Sequence, residues 1–182
     1  MSVSLILFTF FTTVNSLNTP GKIPKNMLGN NNIMDQKNHG TCICEIENSL
    51  RFGSSLEIAN QICCFNRRYA ESENYWSDTD FIKELTDDIW SSSPSVFYDS
   101  VTNKPLFKAP IDRTWPCFLH ETNNHGWPSF RIQEVIQENV RVLEDGEVVS
   151  VDGTHLGHNI PDSLGDRFCI NLVSISGYNL NF

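Results

Sequence analysis

The chain has 182 residues, 40% of them hydrophobic and 19% charged, the size of one ordinary globular domain with an extension. Its formal net charge is −9 and no basic cluster is longer than Arg67-Arg68, which argues against a nucleic-acid or anionic-membrane partner.

In chain order, Leu5 to Phe11 form an apolar run too short to span a bilayer. It ends at Val14-Asn15-Ser16, residues that suit a signal-peptidase site. Residues 1–16 therefore read as a signal peptide, although no Lys or Arg precedes the run; a disordered N-terminus is the alternative. A signal predicts the secretory pathway or the extracellular space, or an organelle reached by that route, with no membrane attachment after its removal. Residues 17–40 hold Pro20, Gly21, Pro24 and Asn30-Asn31-Asn32 without an apolar period, and read as a linker.

Residues 41–92 read as a small helical appendage. Ser54 with Glu57 forms a capping-box pattern before Leu56, Ile58, Ala59 and Ile62. Ser77 with Asp80 opens a second helix, with Ile82, Leu85 and Ile89 at helical spacing. Cys42, Cys44, Cys63 and Cys64 fall in this segment as C-x-C and C-C rather than the C-x-x-C pairs of a structural zinc site. Disulfides among these four are expected in an oxidising compartment, with the connectivity open.

Residues 93–182 have strand and turn character, which predicts a mainly β domain with peripheral helices. Val140 to Leu143 and Val148 to Val151 flank Asp145-Gly146, a tight-turn pair, and predict a hairpin. A helix is expected near Arg113 to Thr122, and an apolar strand over Phe168 to Ile175.

Three clusters in this region carry chemistry. In the strand Arg167-Phe168-Cys169-Ile170-Asn171, a period of two sets Arg167, Cys169 and Asn171 on one face. A cation beside a thiol favours the thiolate, which is the nucleophile. An inert cysteine in a core strand is the alternative. His155-Leu156-Gly157-His158, followed by Asp162, offers two imidazoles for proton transfer and a carboxylate to orient them. Half a metal site and a plain surface turn are the alternatives. Gly126-Trp127-Pro128-Ser129-Phe130 predicts a rigid turn presenting aromatic rings to a small apolar group, or simply packing them in the core.

Gly-Trp-Pro-Ser-Phe, His-Leu-Gly-His and Arg-Phe-Cys-Ile-Asn, in this order and with Lys104-Pro105-Leu106-Phe107 upstream, resemble the B-type methionine-R-sulfoxide reductases over residues 95–177. The resemblance implies two antiparallel sheets with peripheral helices. It implies that Cys169 attacks the sulfur of a methionine-R-sulfoxide, in a protein or free, and passes through a sulfenic acid. On the same basis His155 and His158 position and protonate the sulfoxide oxygen, with Asp162 as supporting acid. Arg167 and Asn171 stabilise the thiolate and orient the site, while Trp127 and Phe130 receive the substrate. The reductant implied is an external thiol such as thioredoxin or glutathione, and the role is repair of oxidised protein.

The sequence departs from that family in three places. Asp99, Thr102, Val149 and Asp152 stand where many members carry zinc-binding cysteines, so no zinc or other cofactor is expected. His125 takes the usual place of the resolving cysteine, leaving Cys117 as the one internal candidate for that role. Phe168 replaces a more usual tyrosine. The rival readings are a non-catalytic binding module on the same β fold and a secreted thiol–disulfide protein acting through its N-terminal cysteines.

Overall fold

The chain folds as a mainly β structure of two antiparallel sheets with short helices around them, seen in a computed structural model that describes residues 23–46 and 48–179. The apolar run expected as a signal peptide lies outside the described residues. The elements in order are α1 (Leu56–Asn60), α2 (Phe81–Glu84), α3 (Thr86–Ser91), β1 (Ser95–Tyr98), β2 (Pro105–Ala109), α4 (Trp115–His125), β3 (Ser129–Arg131), β4 (Val140–Val142), β5 (Glu147–Ser150), β6 (His155–Asn159) and β7 (Arg167–Ile170). Strands β1 and β2 pair alone, and the larger sheet runs β3-β7-β6-β5-β4.

The Asp145-Gly146 hairpin forms as its turn residues require. Gly146 sits at φ +87° and its N–H donates to Leu143 O at 3.0 Å, leaving β4 and β5 paired through Val142 and Val148. Helix α4 starts two residues after the expected Arg113, because Thr114 Oγ1 accepts from the Cys117 N–H. It ends where Gly126 turns left-handed at φ +81°. The expected long strand after Phe168 stops at Ile170, and Leu172–Ser174 form a 3₁₀ turn instead.

The aromatic residues show what the helical appendage of residues 41–92 packs against. Phe52, Phe81 and Leu85 are fully buried in one cluster with Phe97, Phe107, Phe130 and Phe168, so both halves of the chain fill a single core. Within this segment the stripe is displaced by one residue: Phe81 and Leu85 are buried while Ile82 is 39% exposed. Ser55 rather than Ser54 caps α1, accepting from the Ile58 N–H at 3.3 Å, and Ser54 bonds Ser176 in the interior. The Cys42–Cys64 disulfide holds the turn after α1 to the preceding loop, and suits an oxidising compartment. Among the described residues no helix is long and apolar enough to cross a membrane.

Residues 23–40, expected as linker, form a layer against the sheet. Met27 and Met34 are its buried anchors, and Leu28 bridges to Val142. The asparagine run contributes a cap, since Asn30 accepts from the Asn32 N–H at the start of a short turn.

Candidate active site

The larger sheet sets four polar side chains in one row. Glu147 on β5 stands opposite His158 on β6, His158 opposite Cys169 on β7, and Cys169 opposite Ser129 on β3. Directly opposed residues of antiparallel strands project from the same face. A regular strand would then send His155, three residues before His158, to the other face. A bulge prevents this: Val148 pairs with Gly157 and Val149 with His155, so Leu156 is an extra residue on β6. Both imidazoles consequently face the same side, with ring centroids 5.5 Å apart. Gly157 lets the strands close here, because a Cβ on it would lie 2.1 Å from the Cys169 carbonyl oxygen.

Cys169, His155, His158, Asn171 and Trp127 together line one hollow of about 180 Å³. Trp127 is aimed into it by the left-handed Gly126 and by Ser129 Oγ, which donates to the Trp127 carbonyl at 3.1 Å. Asn171 is buried and its Nδ2 donates to the Leu156 carbonyl at 3.2 Å, fastening the end of β7 to the bulge. The far wall comes from the other half of the chain, through Arg68, Tyr69 and Ala70.

The carboxylate that reaches the histidine pair is Glu147, at His155, and not Asp162. His155 Nδ1 lies 2.7 Å from Glu147 Oε1, both side chains being almost fully buried. Burial alone would raise the Glu147 pKa, but the bonds from His155 and Arg67 outweigh it and hold the group below the usual carboxylate range. An ionised Glu147 places the His155 proton on Nδ1 and leaves Nε2 as the basic ring nitrogen. His158 is pushed below its ordinary value by burial and then by neighbouring His155, so it rests neutral near pH 7.

Asp162 is held by arginines instead of by the histidines. It pairs with both terminal nitrogens of Arg131, at 3.0 and 2.9 Å, and lies 3.5 Å from Arg167 Nε. Arg131 is held in turn by Glu121. The arginine bonds, Arg131 first, keep the Asp162 carboxyl low. Arg167 is 6% exposed and its charge and hydrogen bond draw the Cys169 thiol down. Burial pushes that thiol up more strongly, helped by Glu71, so the resting group lies above the ordinary cysteine value.

Arg167 and Asp162 do not line the hollow, and two further expected site residues also stand elsewhere. Phe130 is fully buried and stacks on Phe107 at 4.3 Å, so its ring belongs to the core and not to the hollow. Cys117 is exposed on the first turn of α4 and opens onto a different hollow, bounded by Arg113, His120 and Leu164, which shares no lining residue with that of Cys169. His125, at the end of α4, is held below its ordinary pKa by burial and by the charge of Arg167.

The positions matching the family's zinc cysteines do not fit that metal. The fully buried Asp99 accepts from the Val101 N–H at 2.8 Å and from Thr154 Oγ1 at 3.0 and 2.9 Å. Asp152 pairs with Lys104 at 2.7 Å, and Val149 is packed in an apolar cluster with Met34 and Leu143. These contacts tie the β1–β2 turn to the β5–β6 turn without thiolates.

Glu147, Arg67 and Glu71 went unread in the sequence. Only Glu147 had a signal, as the first residue after the predicted Asp145-Gly146 turn and therefore the start of a strand facing the histidines. Arg67 and Glu71 reach the site from some 80 and 100 residues upstream of their partners Glu147 and Leu172, beyond any local pattern. No protein-family model matches the chain, and no curated protein matches it.

Proposed function

We propose that the chain is a thiol-dependent methionine-R-sulfoxide reductase in which Cys169 is the nucleophile. The observation that supports this most is the row His158–Cys169 across β6 and β7, with His155, Asn171 and Trp127 around the same hollow.

In this reading the indole of Trp127 holds the methyl group and turns the sulfoxide sulfur toward Cys169. The histidines stand at the sulfoxide oxygen, where His155, with its own proton held on Nδ1 by Glu147, takes the Cys169 proton on Nε2 and passes it to that oxygen. The thiol is raised in the ligand-free site, so its proton leaves as the sulfoxide oxygen takes one up. A bond forms from Cys169 sulfur to substrate sulfur; oxygen then passes to the Cys169 sulfur as the substrate S–O bond and the new S–S bond both break, and methionine leaves. The balance is thiol plus sulfoxide to sulfenic acid plus methionine, the thiol proton ending on the sulfenic oxygen. A second thiol condenses with the sulfenic acid, releasing water and leaving a disulfide, and a further thiol restores Cys169. Cys169 is the one cysteine lining its hollow among the described residues, and Cys117 opens elsewhere. The condensing thiol is therefore external, a thioredoxin-type protein or a small thiol such as glutathione.

The test is turnover of the two epimers of N-acetyl-methionine sulfoxide with dithiothreitol as electron source. The R-epimer should be reduced and the S-epimer left, and Cys169→Ser should abolish turnover while keeping the folded near-ultraviolet spectrum. Equal reduction of both epimers, or turnover without Cys169, rejects the reading.

A further inference from the structure

The structure assigns to Arg68 the recognition of a substrate carboxylate beside the sulfoxide, an inference that rests on the reductase reading of the hollow. Four arginines lie in or near the site, of which Arg68 alone lines the hollow; Arg67 pairs with Glu147, Arg131 with Glu121 and Asp162, and the buried Arg167 more loosely with Asp162 at 3.5 Å. Arg68 has no ion pair or hydrogen bond among the described residues, in a chain of net charge −9. It nevertheless lines the hollow of Cys169 and, with His158, an adjoining hollow. Asp35 and Asp145 line that second hollow, but neither comes within the 4.0 Å of an ion pair with Arg68.

An unpaired guanidinium at the junction of two hollows presents a planar fork suited to one carboxylate. Around it the rim is apolar, with Tyr69 66% and Ile160 48% exposed. Such a rim accepts the stem of a substrate whose sulfoxide points down to Cys169. Two carboxylates come within reach of a bound methionine sulfoxide: its own α-carboxylate, when the residue is free or C-terminal, and the side chain of a flanking acidic residue. The chemistry at Arg68 is the same for both.

Steady-state kinetics on the full chain separates them. N-acetyl-methionine-R-sulfoxide against its methylamide probes the α-carboxylate, and blocked dipeptides with Asp or Asn after the sulfoxide probe the flank. The wild type should favour the charged member of at least one pair by about two- to fivefold in kcat/KM, carried by KM, as expected for a partly exposed ion pair. Arg68→Met should bring that ratio near one, and Arg68→Lys should restore part of it. A wild type indifferent within both pairs, or a preference that survives in Arg68→Met, overturns the assignment. If neither epimer of any substrate is reduced, the reductase reading fails, and Arg68 is judged by nuclear magnetic resonance titration with N-acetyl-methionine and its methylamide. Tighter binding of the acid, lost in Arg68→Met, supports the inference, and equal binding overturns it.

Discussion

At Cys169 two influences compete, and the outcome is a thiol above its ordinary pKa. Burial is the larger, while the charge and hydrogen bond of Arg167 work against it. Removing the guanidinium leaves burial unopposed, so Arg167→Met should move the pH midpoint of Cys169 alkylation upward. Thiolate at neutral pH then falls by an order of magnitude for each pH unit the midpoint climbs. Peptide-resolved iodoacetamide labelling across pH 6–10 reads this directly, since it separates Cys169 from the exposed Cys117. An unchanged midpoint would show that Arg167 does not set the thiol. Asp162 lies 3.5 Å from Arg167 as its ion-pair partner, while Glu147 holds His155. The sequence placed an acid after the histidines and could not distribute the two carboxylates, since that choice is made by strand pairing rather than by spacing.

The β6–β7 pair decides whether the residues meet, and here part of the design was legible. Period two correctly grouped Arg167 and Cys169, because β7 is regular. The same period applied to β6 separates His155 from His158, and only the bulge at Leu156 reunites them. A bulge has no reliable signature in one sequence, although Gly157 is its trace. Phe130 failed for a related reason: Gly-Trp-Pro-Ser-Phe announces a turn, but not which ring faces inward. Gly157 itself is at φ +154°, and a methyl group there meets the Cys169 carbonyl at 2.1 Å. Gly157→Ala should therefore destabilise the protein by about 1–3 kcal/mol, as overpacking does, and lower turnover further by parting His158 from Cys169. Denaturation midpoints with activity measured well below melting check both effects. Wild-type activity in this variant would remove the close strand approach from the argument.

On the scale of the whole molecule, the two halves of the chain meet behind Cys169 through Glu71. This side chain is 5% exposed, and its carboxyl accepts from the N–H groups of Leu172 at 2.5 Å and Val173 at 3.1 Å, just past the end of β7. Local pattern marked residues 17–40 as linker and 41–92 as a helical appendage, and local pattern does not say what a segment packs against. Met27, Phe52, Phe81 and Leu85 complete the common core, and Glu71 reaches the site from the same half. Burial outweighs its two backbone bonds and raises its pKa to about 7. The folded value lies above the unfolded one, so its contribution to stability is full below about pH 4.5 and lost as pH rises through about 7. The change amounts to something on the order of 3 kcal/mol. Glu71→Gln cannot ionise, and urea denaturation of both proteins at pH 5 and pH 8 should show the wild type losing ground to the variant as pH rises. A gap that stays constant would mean that Glu71 does not titrate in this range. The same ionisation pushes the Cys169 thiol up, so Glu71→Gln should also bring the alkylation midpoint of Cys169 down, opposite in sign to Arg167→Met.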